Sequence, residues 1–381
     1  MKKNNLSIQF VVKYTKYCNL RCSYCYEYNE LHQKDHMQFS DIKKFFLNCK
    51  PYIEKNCNHV DFIWHGGEPF LIPIKNYLKI KELQQEIFSK NITITNGTQT
   101  NLTILTSKHI DFLKNQQFFN SVGISFDVYG DQRVDINNQL KTDKILHNIQ
   151  QLIQHKIPIG AICVLAQNTY PYVKEIYKFY DDLKIPVRFL PIYRSAYEQQ
   201  EEKHALTISQ ILVAIQILLE QWSTSKNATS VDPLDEYIDY AINFILDQKL
   251  KSFQQKEDEQ TFIVNKDGNI WGLSETYDDK YKYGNIFEED LNKLLNSEER
   301  QKANQNSQQR INKFCKNCQY FGYCSGSFVA NATPQQELQI LKETCLVKVS
   351  IDYIVAFFHD KKLDKFLAGK VSKNTKKMLE L

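Results

Sequence analysis

The chain has 381 residues, 42% of them hydrophobic, and its 48 Lys and Arg against 44 Asp and Glu leave a formal net charge of +4. That is enough for one large domain or two ordinary ones with a real core, and too mild a charge to argue for nucleic acid. No run of about 18 apolar residues is present, which excludes a transmembrane helix, and Met1-Lys-Lys-Asn-Asn does not open a secretory signal, so ten cysteines point to metal or redox use in a cytoplasmic setting rather than to disulfides.

Short β-branched or aromatic runs alternate with longer helical patterns. The strand candidates are Ile8–Tyr14, Val60–His65, Ile92–Thr95, Val122–Phe126, Ile157–Leu165 and Val187–Ile192. Helices are expected between them at Ser40–Cys49, Ile74–Ser89, Thr103–Asn115, Lys141–His155 and Tyr170–Leu183, where apolar residues recur at three- and four-residue steps. This alternation predicts an α/β fold with a parallel sheet that curves into a partial (β/α)6 TIM-like barrel. Ligands of such a sheet gather at the C-terminal strand ends.

The first strand end carries Cys18, Cys22 and Cys25 at C-x3-C-x2-C spacing, with Tyr24 and Tyr26 around the third. Three thiolates on a four-iron cluster leave one iron open to a small molecule. Zinc knuckles favour C-x2-C pairs with a distant second pair, so this spacing fits them poorly. His65-Gly-Gly-Glu-Pro-Phe70 follows the second strand, and its glycines allow close backbone approach. Gln99-Thr-Asn101 ends the third strand region and Ser125-Phe-Asp127 the fourth, with Arg133 nearby. Arg133 also reads as a solvated loop residue, and Leu165, at the end of the fifth strand, as simple core.

Beyond Ile192 the pattern turns helical and polar, with amphipathic stretches at Ile208–Trp222 and Leu234–Leu250. A β-hairpin around Asp267-Gly268 follows. A helical stretch, Glu288–Gln301, then precedes Cys315, Cys318 and Cys324 at C-x2-C-x5-C, with Cys345 further on. Four thiolates make a closed site, for which spacing alone leaves zinc and iron–sulfur both open. Cys49, Cys57 and Cys163 read as buried structural thiols. A C-terminal helix is expected over Lys348–Phe366.

The cysteine triad with its aromatic, together with Gly66-Gly67-Glu68-Pro69, resembles the radical S-adenosylmethionine (radical SAM) superfamily. The resemblance implies a cluster on Cys18, Cys22 and Cys25 that chelates SAM at its open iron. It implies SAM contacts from Tyr24, Gly66, Gly67, Glu68, Gln99, Asn101, Ser125, Arg133 and Leu165. The second cysteine group resembles the SPASM extension of radical SAM peptide-modifying enzymes. That extension usually holds two auxiliary clusters, but here the Gly-x4 position after Gly268 is Leu273, and the x3 position after Cys324 is Phe328. In the family these missing cysteines belong to one cluster, so the resemblance implies two 4Fe-4S clusters in all, the auxiliary one on Cys315, Cys318, Cys324 and Cys345.

The expected organisation is a radical SAM partial barrel over 1–192, a helical connector over 193–260, a SPASM-like domain over 261–346, and a helix and tail over 347–381. The expected partners are a precursor peptide and an electron donor such as flavodoxin or ferredoxin, without nucleic acid or membrane. The opening Phe10–Tyr28 resembles maturases that form a side-chain cyclophane crosslink to an aromatic residue. Anaerobic sulfatase maturation is the alternative, although the family's Cys-Asp pair is replaced by Leu273-Ser274. Thioether formation and epimerisation are further options, with Cys163 the barrel-strand thiol an epimerase would want. A non-catalytic iron–sulfur or zinc scaffold is the reading outside enzymes.

Overall fold

The computed structural model describes residues 6–192, 203–273 and 278–360. Residues 193–202 of the expected connector, Ser274 after the hairpin and 361–381 of the expected tail lie outside the described residues. The chain divides into two compact units. One takes the N-terminal stretch to Phe126, Asp131–Gly160 and Gln254–Gln308; the other takes Asp127–Gly130, Ala161–Phe253 and the chain from Gln309 on.

The first unit begins with β1 (Leu6–Thr15), α1 (Phe39–Asn56), β2 (Cys57–Gly66), α2 (Ile74–Ile87), β3 (Thr93–Thr100), α3 (Ser107–Lys114), β4 (Ser121–Ser125) and α4 (Thr142–Gln154). The strands are parallel, with Phe10 opposite Phe62, Phe62 opposite Asn96 and Thr98 opposite Val122. Alternate residues of β1 and β2 (Ile8, Phe10, Val12, Tyr14; Val60, Phe62, Trp64) are buried, as a period of two requires when one face meets helices. Their rings interlock with α1: Phe10 meets Phe45 edge-on at 5.2 Å, and Phe62 meets Phe46 at 5.1 Å. The aromatic excess of the chain is thus largely core in this unit.

α1 and β3 are among the elements that outrun the sequence pattern. α1 passes through Pro51 to Asn56, where the sequence reading stopped at Cys49. Proline in a helix interior costs about 3 kcal/mol, but Phe45, Phe46, Cys49 and Ile53 share one buried face, and their packing carries the helix on. β3 continues past Thr95 to Thr100 through a polar run. Buried Asn96 is satisfied there, its Oδ1 accepting from Trp64 Nε1 and Gln84 Nε2, both at 2.9 Å. A strand held by polar pairs leaves no hydrophobic alternation to read.

The second unit contains β5 (Ile159–Leu165, from Ala161 on), α5 (Val173–Leu183), β6 (Val187–Pro191), α6 (Ile208–Thr224), β7 (Val231–Asp232) and α7 (Leu234–Ile245). Cys163 lies opposite Phe189 and Val187 opposite Val231, all parallel. The two-residue β7 is too short to carry a periodic signal.

The hairpin of β8 (Thr261–Val264) and β9 (Asn269–Trp271) turns at Gly268, whose φ of +87° suits glycine. β8 pairs parallel to β1, with Phe262 opposite Phe10, and β10 (Gly284–Asn285) pairs with β9. The hairpin therefore extends the first unit's sheet in the order β10-β9-β8-β1-β2-β3-β4. α8 (Glu298–Arg310) follows, and α9 (Leu346–Asp360) packs on α6 and α7 in the second unit. The compact units thus cut the chain differently from the sequence division at 192, 260 and 346. Among the described residues no helix is long and apolar enough to cross a membrane.

Truncating Phe62, fully buried among the rings of Phe10, Phe45, Phe46 and Phe88, is expected to cost about 3–5 kcal/mol. Equilibrium unfolding in urea of Phe62→Ala beside the wild type checks this.

Candidate active site

The cysteine loop leaves β1 and is pinned by backbone bonds. Cys18 N–H donates to Leu31 O at 3.1 Å, Arg21 N–H to Val134 O at 2.7 Å, and Cys25 N–H to Cys22 O at 2.9 Å. Cys18 and Cys22 are buried and Cys25 partly so. Burial, then the Glu68 charge and the neighbouring thiols, push Cys18 up to about 12. Burial also lifts Cys25, to about 11, with Cys22 adding to it. Free of metal, these thiols hold their protons, and iron would displace them.

Three N–H groups aim at the sulfurs. Leu20 N–H donates to Cys18 Sγ at 3.4 Å, Asn101 Nδ2 donates to the same sulfur at 3.5 Å, and Arg133 Nη1 donates to Cys22 Sγ at 3.8 Å. Arg133 is buried and lies over the Tyr24 ring at 5.5 Å. It is not a solvated loop residue. A guanidinium and an amide directed at thiol sulfur suit the negative charge of ligating thiolates better than neutral thiols.

The glycine motif acts on this loop. Gly67 N–H donates to Thr15 O and Glu68 N–H to Tyr17 O, each at 2.8 Å. A Cβ on Gly66 would lie 2.0 Å from Thr15 O, and one on Gly67 would lie 2.1 Å from Tyr17 O. The close approach that the sequence suggested for a ligand is here made to the loop's own backbone. Glu68 is fully buried. Its Oε1 accepts from Phe70 N at 2.8 Å and Thr100 Oγ1 at 2.6 Å, and its Oε2 from Asn101 N at 2.7 Å. Burial lifts its carboxyl to about 7 against the pull of those donors and of Arg133. Glu68 thus ties the end of β2 to the end of β3 and sets the backbone of Asn101. Asn101 Oδ1 in turn accepts from Thr103 N and Oγ1, which orients its amide toward Cys18.

Gln99 Nε2 donates to Ser125 Oγ at 2.8 Å, joining two strand-end residues that the sequence named separately. Both are partly exposed. Gly123 gives Gln99 room, since a Cβ there would lie 2.1 Å from Gln99 Oε1. Leu165 belongs to the second unit and is buried at the end of β5, its carbonyl accepting from Ile192 N at 2.9 Å.

Sequence reasoning missed a buried ion group. Lys13 and Lys16 both reach Oε1 of Glu27, at 3.3 and 3.1 Å, and all three are buried. Burial works against ionising Glu27, but the two lysines hold its carboxyl down at about 2. The available signal was a lysine inside an otherwise buried strand and a glutamate two residues past Cys25.

In the second unit Cys315, Cys318, Cys324 and Cys345 come together. Burial first, then the Cys345 and Cys318 thiols, push Cys315 up to about 12. Burial also lifts Cys324 to about 12, with Cys345 and Cys315 adding to it, and raises Cys345, with Cys318 adding to it. Gly326 N–H donates to Cys324 Sγ at 3.4 Å. Among the described residues no three His, Cys, Asp or Glu side chains close on a point fit for one metal ion. A four-iron cube takes one thiolate per iron, so its ligands stand farther apart than those of one ion, and both cysteine groups are compatible with it. Cys49, Cys57 and Cys163 are fully buried, and the Cys163 sulfur faces the carbonyls of Asp127 and Val164 at 3.9 Å.

A profile of the radical SAM superfamily matches residues 12–180, which hold the triad, the glycine motif and the three donors to sulfur. The chain is a radical SAM enzyme. Its C-terminal half carries a SPASM iron–sulfur cluster-binding domain, matched over residues 257–319. The enzyme is 27% identical over 343 residues to the cysteine-type anaerobic sulfatase-maturating enzyme of Clostridium novyi (strain NT), covering 83% of this chain and 86% of that protein. The solved structure of native anSMEcpe with bound AdoMet and Cp18Cys peptide aligns with a TM-score of 0.70 at 21% identity, over 94% of this chain and 100% of that one. Streptococcus suis SuiB bound to S-adenosylmethionine aligns at 0.59 and 14% identity, over 90% and 76%. These likenesses establish the radical SAM fold. The cofactors of the enzyme are SAM and two 4Fe-4S clusters.

Two substitutions separate the cysteine groups. Gly67→Ala, which drives a methyl into Tyr17 O, is expected to cut iron in the anaerobically reconstituted enzyme from about eight per chain to about four. Cys324→Ala is expected to lose a similar share while keeping the SAM-responsive cluster. Iron analysis with electron paramagnetic resonance (EPR), with and without SAM, reads both.

Proposed function

We propose that the enzyme is a peptide maturase that oxidises a side chain of a ribosomally made precursor, forming a carbon–carbon (cyclophane) crosslink to an aromatic residue. The assignment of a peptide substrate is supported by the relatives: sulfatase-maturating enzymes act on a protein by name, and SuiB has been solved with its precursor peptide SuiA. The observation that carries the reading away from sulfatase maturation is Leu273. It stands five residues after Gly268, where the resemblance would place a cysteine, and it is 53% exposed.

When bound and reduced, the SAM cluster would supply radical chemistry able to remove hydrogen from an unreactive carbon. Cys18, Cys22 and Cys25 hold that cluster. Asn101 and Arg133 offset the charge on its sulfurs, and Glu68 fixes the backbone that presents Asn101. The Gln99–Ser125 pair offers SAM a partly exposed polar surface at adjacent strand ends. Cys315, Cys318, Cys324 and Cys345 would hold the auxiliary cluster, which would supply one-electron chemistry, and a low-potential flavodoxin or ferredoxin serves as the electron donor. Formylglycine formation is the second reading, favoured by the names of the sulfatase-maturating relatives.

Reduced enzyme with SAM is expected to release 5′-deoxyadenosine, and Cys22→Ala to release none. With a candidate peptide, a crosslink removes two hydrogens and leaves no aldehyde. Serine oxidised to formylglycine also loses two hydrogens but is captured by a hydrazide reagent. Mass spectrometry with and without that reagent decides, and capture of an aldehyde would overturn the crosslink.

A further inference from the structure

The buried ion group at the root of the cysteine loop joins two lysines to one carboxylate. Lys13 and Lys16 are each 2% exposed and share one carboxylate, that of Glu27, which is 4% exposed. Lys16 also reaches Glu30 at 3.0 Å, but the Glu30 side chain is 47% exposed, so water and salt screen it. The other neighbours of Lys13 are uncharged. They are the Tyr26 hydroxyl, the Tyr26 ring at 4.9 Å, and His65 Nδ1 at 3.5 Å. Burial, with Lys13 next, holds the His65 imidazole neutral, at about 3. Two ammonium groups thus meet on one buried carboxylate. Lys13 Nζ meets the Tyr26 hydroxyl and the Glu27 carboxylate, on the two residues that directly follow Cys25.

Burying an ammonium is costly, and an apolar side chain of similar volume at position 13 would avoid that cost. The loop backbone is already pinned by its own bonds to Leu31 and Val134, so holding the loop does not by itself call for two lysines. The chemistry next to them does. A four-iron cluster on three thiolates is anionic, and accepting one electron makes it more so. A fixed positive charge in a low-dielectric setting favours the reduced form, and a fixed negative charge disfavours it.

We propose that the Lys13–Lys16–Glu27 group sets the reduction potential of the cluster held by Cys18, Cys22 and Cys25, the lysines raising it and Glu27 lowering it. These are positioning charges: they act through the cluster and do not touch substrate. The proposal rests on the triad holding the SAM cluster.

The test is an EPR-monitored redox titration of the reconstituted full-length enzyme, with dithionite or titanium(III) citrate as the one-electron donor. The cluster titrated is identified by the change in its signal on adding SAM. Lys13→Met is expected to make reduction about tenfold less favourable, which is about 59 mV for one electron. Lys16→Met is expected to shift the potential the same way and Glu27→Gln the opposite way. Glu27→Gln is nearly isosteric, so it carries the sign even where a lysine variant fails to fold. Shifts of one sign in all loaded variants, or no shift in Glu27→Gln, would overturn the charge mechanism, since a merely structural role does not invert with charge. Persistence of the SAM-sensitive signal in Cys22→Ala would instead overturn the triad assignment, and the proposal with it.

Discussion

The close backbone contact between Gly66-Gly67 and residues 15–17 is the constraint on which the first unit's site depends. It leaves no space for a side chain on either glycine. Through it the end of β2 grips the stretch leading into Cys18. The same turn delivers Glu68 into the interior, where its carboxylate gathers donors from Phe70, Thr100 and Asn101. One turn thus sets three things: the path of the cysteine loop, the end of β3, and the amide that meets Cys18 sulfur.

Polar groups are buried around the triad in numbers that a plain core would not tolerate. Each has a reason in its partners. Asn101 is held by Thr103 and faces sulfur, Arg133 lies between Tyr24 and Cys22, and Glu27 binds two lysines. Buried polar networks of this kind are stable only when their members find partners, and here Asn101 and Arg133 face thiols that would become thiolates on binding iron. The second cysteine group is simpler. Burial lifts Cys315, Cys324 and Cys345, with neighbouring thiols adding to it, and a backbone N–H from Gly326 serves Cys324.

Much of this was legible beforehand. Most strands and helices of the first unit follow from period; the exceptions are the polar extension of β3, the run of α1 through Pro51, the start of α3 at Ser107 rather than Thr103, and the expected helix Glu288–Gln301, which the structure splits into Leu291–Leu294 and α8. Cys18, Cys22, Cys25 and the Gly-Gly-Glu-Pro turn were readable because spacing along one loop is a local property. Asn101 and Ser125 were readable as strand-end residues, though their partners were not. The lysines were missed, because a charged residue in a strand is read as solvent-facing unless its counter-charge is known. Glu27, the counter-charge, lies across a turn that sequence pattern does not describe.

The amino-acid sequence by itself determined the chemistry: an open three-thiolate site, a separate four-thiolate group, and an α/β frame that places the first at a strand end. Those are consequences of side-chain type and short-range spacing, which the chain carries without folding. The tertiary structure alone decided what surrounds the sulfurs. It turned Arg133 from a loop residue into a donor to Cys22, made Glu68 an internal tie, joined the β8–β9 hairpin to β1, and buried two lysines on one carboxylate beside Cys25. Those facts depend on contacts between residues far apart in the chain. Their energies come from burial and exclusion of water, which exist only once the fold has closed.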